Sequence, residues 1–205
     1  MANPWDPLPL PILGNHDEGV LFAALGRTLN RWEYIEVGLS ILFSLFAGDP
    51  SFTKMQAYGA SGKIFRNRLD GLKRAADGWF ARSPSQEIEG EFDKLVTAAG
   101  GFADRRNEVA HGLVMDASVF LFWREKMILA SPNRPQFLVI PPYYLVSRHN
   151  DLTGMPDYGY SSIELDALDE RLIDFEIEVD SFTHRLWPGQ WPSAYSAPSH
   201  GTCRA

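Results

Sequence analysis

Apolar residues in the first quarter of the chain recur at alternating spacings of four and three. Leu21, Leu25, Thr28, Trp32, Ile35, Leu39, Leu42 and Phe46 form one stripe, with only Thr28 polar. That period predicts a long amphipathic helix. Asn15 followed three residues later by Glu18 reads as its capping box, and Gly48-Asp49-Pro50 as its stop. Phe65, Leu69, Leu72, Ala76 and Trp79 mark a second helix. Ser83-Pro84-Ser85-Gln86 opens a third, with Ser83 as cap, Pro84 at the first helical position and Gln86 at the third. Its stripe runs Ile88, Phe92, Leu95, Ala99, Phe102, Arg106, Val109, Leu113. Gly100-Gly101 weakens this helix or admits a close neighbour, and Gly112 is a natural stop. Ser161, with Glu164 three residues on, caps a fourth, carried by Leu165, Leu168, Leu172, Phe175, Val179, Phe182 and Leu186. Trp187-Pro188-Gly189 ends it.

Between the third and fourth helices the pattern changes. Val119–Trp123, Met127–Ala130 and Phe137–Ser147 are rich in β-formers and separated by turn residues, which predicts a hairpin or meander. Residues 148–160 read as a loop. Four stripes that no helix can bury alone predict a mainly α fold. The expected architecture is a bundle of four main helices with a small antiparallel β insertion between helices 3 and 4. Residues 1–14 read as an extended Pro-rich arm packed on the domain through Trp5 and Leu10, 15–187 as the helical domain, and 188–205 as a flexible Pro/Ser/Gly tail.

Composition narrows the class. A chain of 205 residues suits one core, and six tryptophans in a chain 45% hydrophobic exclude disorder as the main reading. The net charge of −7 argues against a general nucleic-acid coat but leaves room for a local basic pocket. Cys203 stands alone, so no intramolecular disulfide forms, which fits a reducing compartment. The start lacks a basic segment followed by an apolar one and does not read as a signal peptide. The longest apolar run, 37–47, is about half of the roughly 20 residues a membrane span needs. A cytoplasmic protein without a membrane partner is expected.

Two features carry chemistry. The second helix bears Lys63, Arg66, Arg68, Lys73 and Arg74 against only Asp70 and Asp77. This stretch reads either as a solvated face or as a phosphate-attracting wall; Lys63, Arg66, Lys73 and Arg74 are the candidate RNA contacts. In the third helix Arg106 falls where the stripe calls for an apolar residue. A guanidinium stays charged, so that position needs a carboxylate partner or a pocket. Asn107 and His111 are four apart and stack one turn over the other, so Arg106, Asn107 and His111 are expected to converge beside the helix. Glu33 and Glu36 lie off the first stripe and either face Arg106 or water. His16-Asp17-Glu18 lacks matching metal-ligand spacing elsewhere, so neither a metal nor another cofactor is expected. His149, His184 and His200 have no partner pattern.

The run Arg106-Asn107-Glu108-Val109-Ala110-His111, followed by Gly112, resembles the signature of HEPN domains (higher eukaryotes and prokaryotes nucleotide-binding). That pattern is Arg, a polar residue, three variable residues and His, on a late helix of an α-helical bundle. The resemblance implies a metal-independent endoribonuclease that dimerises to pair two motifs in one cleft, as in toxin–antitoxin, phage-defence and RNA-processing systems. It gives His111 the role of general base or acid, Arg106 that of phosphate holder, and Asn107 that of orienting the histidine or the phosphate. An antitoxin or other protein is an implied partner beside RNA or a nucleotide.

Two further readings stand beside the ribonuclease. One is a non-catalytic HEPN-like module that binds a nucleotide, RNA or a protein. The other is a structural dimerisation unit in which Arg106 makes only an ion pair. Arg106 and His111 should line an open cleft in the first reading, a closed pocket in the second, and be buried with a carboxylate in the third.

Overall fold

The computed structural model describes residues 3–7, 13–117, 135–142 and 158–187. Five helices and two strands make up the described chain: α1 (Glu18–Phe46), α2 (Met55–Ala60), α3 (Phe65–Phe80), α4 (Gln86–His111), β1 (Leu113–Asp116), β2 (Phe137–Ile140) and α5 (Ser162–Leu186). The fold is mainly helical with a small two-stranded antiparallel sheet. No described helix is long and apolar enough to cross a membrane.

α1 is the axis of the bundle. Its whole stripe except Leu25 is fully buried, Thr28 included, because the Thr28 hydroxyl donates to the carbonyls of Ala24 and Leu165. Partner positions fix the directions. Thr28 meets Leu165 and Gly38 meets Val179, so α5 runs alongside α1 in the same direction. Trp32 packs on Phe65 and Phe46 on Phe80, so α3 does likewise. Phe46 also packs on Phe92 while Arg106 reaches back to Glu36, so α4 runs the opposite way. Two consecutive parallel helices need a return path. Residues 47–64 supply it, with α2 laid along α1 through the Phe43–Tyr58 ring contact.

The capping signals are partly displaced. Ser161 and Glu164 form the expected capping box at α5. The cap of α1 is Asp17, which accepts from the Gly19 amide, whereas Asn15 accepts from the Asp17 amide, ahead of the helix. The cap of α4 is Ser85 rather than Ser83, since its hydroxyl accepts from the Ile88 amide. α2 was not expected; at six residues it is too short to show a period.

The sheet is antiparallel as expected, but one strand is different. Leu113 leaves the helical stripe and starts β1, which pairs with β2 from Leu113–Ile140 to Asp116–Phe137. Gly112 allows the turn into β1 to pack closely, because a Cβ there would stand 2.4 Å from the Val139 side chain. Tyr160, at the end of the expected loop, bridges to Val139 through two backbone hydrogen bonds. The expected strands at 119–123 and 127–130, part of the third, Leu10, Cys203, His149, His200 and the tail 188–205 lie outside the described residues. The arm does pack on the domain through Trp5. Its ring sits edge-on to Phe102 in a notch left by Gly101, and the Pro4 carbonyl accepts from Arg171.

Candidate functional site

The last three turns of α4 pass between α1 and α3 on one side and the 158–160 segment on the other. Neighbouring arginines therefore turn to opposite faces. Arg105 points towards the sheet end and Arg106 towards α1.

On the Arg105 face lies a fully buried ionic group. Glu108 is 0% exposed, and its carboxylate meets Arg105 at 3.0 Å. It also accepts from the Tyr158 hydroxyl at 2.6 Å and the Tyr160 hydroxyl at 2.7 Å. Burial pushes the Glu108 carboxyl above its ordinary value, opposed by the two phenols and the guanidinium. Burial and the Glu108 charge push the Tyr160 phenol well up. Every polar end of Glu108 is spoken for, so this cluster ties α4 to the 158–160 segment and is not open chemistry. Sequence reading missed it. The three-residue spacing of Arg105 and Glu108 was the available signal, since it is ion-pair spacing on a helix.

On the Arg106 face the bonding is unequal. Glu36 is drawn in from the edge of the α1 stripe, while Glu33 is exposed. Glu36 holds Arg68 first: Arg68 Nε donates to Oε2 at 3.1 Å, and Nη2 makes a short contact to Oε1. Arg68 Nη1 donates to the Gly62 and Lys63 carbonyls, so its fork is nearly used up. The hydrogen bond to Glu36 outweighs burial and raises the Arg68 guanidinium further. The Trp32 indole donates to Glu36 at 3.2 Å and the Tyr58 hydroxyl at 3.3 Å. Burial, then the Glu36 charge, pushes that phenol far up, so it stays a donor.

Arg106 comes last in this queue. Its Nη2 is 3.6 Å from Glu36, beyond hydrogen-bond length. Nη1 donates to the Asn107 side chain at 3.0 Å. Nε is buried with no hydrogen-bond partner. The guanidinium lies 5.4 Å from the centre of the Trp32 ring, and its side chain is 21% exposed. Two guanidiniums thus share one carboxylate, Arg68 through hydrogen bonds and Arg106 through a looser ion pair, which is the carboxylate contact that the structural reading of Arg106 called for.

His111 ends α4 and is exposed; among the described residues its side chain makes no hydrogen bond or ion pair. Five positions at about 100° each turn it about 140° round the helix from Arg106. The site therefore joins Arg106 to Asn107 but does not bring His111 onto the same spot within one chain. Lys63, Arg66, Lys73 and Arg74 are all exposed on or just before α3, on the helix that carries Arg68 inward. No protein-family model, curated protein or solved structure matches the chain.

The arrangement offers an anion a planar, under-bonded guanidinium backed by an aromatic face, with an imidazole at the end of the same helix. Arg68 was legible as a basic residue but not as an inward one. It stands three after Phe65 and four before Leu72, on the edge of the α3 stripe, which was the signal for it.

Proposed function

We propose that the chain is a metal-independent endoribonuclease of the HEPN type, working as a homodimer. One observation carries this reading: Arg106 is held on Trp32 with most of its donors unused, on the same helix as an exposed His111 that has no hydrogen-bond or ion-pair partner among the described residues. The Arg106 fork is left under-bonded, and phosphate oxygens match such a fork. The exposed His111 imidazole is open to a substrate.

The chemistry follows from those groups. An imidazole takes the proton of a ribose 2′-hydroxyl, and O2′ forms a bond to the adjacent phosphorus. The bond from phosphorus to the 5′ oxygen breaks, and that oxygen leaves with a proton from an imidazolium. The products are a 2′,3′-cyclic phosphate and a 5′-hydroxyl. Arg106 holds the phosphate and stabilises its added negative charge, while Asn107 fixes the Arg106 fork. One chain has a single His111, turned away from its own Arg106. Two copies about a two-fold axis supply one imidazole as base and a second as acid. The exposed cations of α3 guide the RNA strand. The resemblance extends the proposal to a toxin–antitoxin or defence setting with a protein antitoxin.

The turn of His111 away from Arg106 favours one second reading, a module that binds RNA or a nucleotide without cutting it. Incubating the pure protein with total RNA in EDTA, beside His111→Ala, separates the two. Cleavage by the unmutated protein alone supports the enzyme. Retention of RNA without cleavage supports the module.

A further inference from the structure

Glu36 stands out in this site because it touches so much and is exposed so little. It accepts from Arg68, Trp32 and Tyr58 and draws Arg106 to within 3.6 Å, with a side chain only 12% exposed. These partners come from α3, α1, α2 and α4, so one carboxylate joins four helices. A carboxylate beside a phosphate site opposes the incoming anion, which makes its presence there costly to binding. Arg68 cancels that charge with a nearly complete set of bonds.

Resting on the ribonuclease reading, we propose that Glu36 is the positioning residue for Arg106. Glu36 and Trp32 are one turn apart on α1 and hydrogen-bonded to each other, so the indole is held by the same carboxylate that attracts the guanidinium. Arg106 is drawn towards Glu36 and rests on the indole face, while Asn107 holds the other side of its fork. The guanidinium is fixed in place without being saturated. Attraction at 3.6 Å sets its position and leaves its donors for phosphate. A fully bonded Arg106, such as Arg68 has become, would serve structure alone.

The test compares Glu36→Gln and Glu36→Asp with the unmutated chain. Glutamine keeps the shape and removes the charge; aspartate keeps the charge and shortens the reach, and serves if the glutamine variant does not fold. With a defined RNA oligonucleotide, both variants should lose kcat by about 10- to 100-fold. KM should fall or hold in Glu36→Gln, because a negative charge near the RNA has gone. A merely structural role would lower kcat through the folded fraction and recover it at lower temperature. The second readout needs no activity: the Arg106 Nε–H resonance in a nitrogen-correlated spectrum, identified by its loss in Arg106→Ala. In the unmutated protein it should be slow to exchange and shifted by the Trp32 ring. In both variants the shift should collapse and exchange should quicken. An unchanged Arg106 resonance in folded variants overturns the proposal, whether or not the protein cuts RNA. Absence of cleavage by the unmutated chain, with the resonance behaving as stated, sinks the ribonuclease reading and leaves Glu36 as the residue that positions Arg106.

Discussion

The guanidinium of Arg106 lies 5.4 Å from the centre of the Trp32 ring, and Trp32 itself is wholly buried in α1. That contact turns an apparent flaw in the α4 stripe into a built feature. An aromatic face gives a cation a favourable surface without using any of its donors. The donors remain for an anion, which a complete ion pair would not allow.

The opposite face of α4 predicts a large stability effect from a residue inside the motif. Glu108→Ala should destabilise the fold by about 3–5 kcal/mol, because it leaves Arg105 buried without its carboxylate. Tyr160→Phe removes a single hydrogen bond to that carboxylate and should cost about 2 kcal/mol. Urea unfolding measures both. A Glu108→Ala effect no larger than that of an exposed glutamate would show that the Arg105 group does not hold α4 to the 158–160 segment.

The Trp5 arm predicts a reversal of sign. A Cβ at Gly101 would stand 2.2 Å from the Trp5 ring, so Gly101→Ala must push the arm off and should destabilise. Trp5→Ala alone should cost about 1–3 kcal/mol of burial. In the Trp5→Ala background, Gly101→Ala should instead stabilise by about 1 kcal/mol, since alanine suits a helix interior better. A double-mutant cycle of three variants and the unmutated protein, followed by thermal melting, checks the reversal. Additive effects would mean the arm and the notch do not meet in solution.

These two cases show what could be read from the chain and why the rest could not. The long stripes survived because burial on one face writes a period of 3.6, and the Ser161–Glu164 box survived because both partners are local. β1 was missed because its partner strand lies more than twenty residues on, and the residues after Gly112 carry no alternation of their own. Arg105 and Glu108 have ion-pair spacing on a helix, but their burial depends on Tyr158 and Tyr160, some fifty residues away. Arg106 was conspicuous for the opposite reason, a charge within an apolar stripe. Its well-bonded neighbour Arg68 was hidden among exposed cations. Within one chain Arg106 and His111 stand about 140° apart round α4, since five positions do not return to one face.

The exposed cations of α3 give a prediction about binding. If Lys63, Arg66, Lys73 and Arg74 track the RNA backbone, neutralising all four should weaken binding and lower the slope of log affinity against log salt. The slope should drop by about 0.7 for each phosphate that is no longer neutralised. Fluorescence anisotropy with a 2′-O-methyl oligonucleotide measures this without cleavage. An unchanged slope would make these residues a solvated face.

The central claim rests on His111. Exposed at a helix end, it supports little packing, so His111→Ala should leave the melting temperature nearly unchanged. Its loss as an acid–base group should slow cleavage by about 10²–10⁴-fold. The decisive measurement is end-group analysis of an RNA oligonucleotide treated with the purified protein in EDTA, with His111→Ala in parallel. The account predicts 2′,3′-cyclic phosphate and 5′-hydroxyl ends from the unmutated protein and almost none from the variant. Equal cleavage by the two proteins, or products ending in a 5′-phosphate, would contradict it.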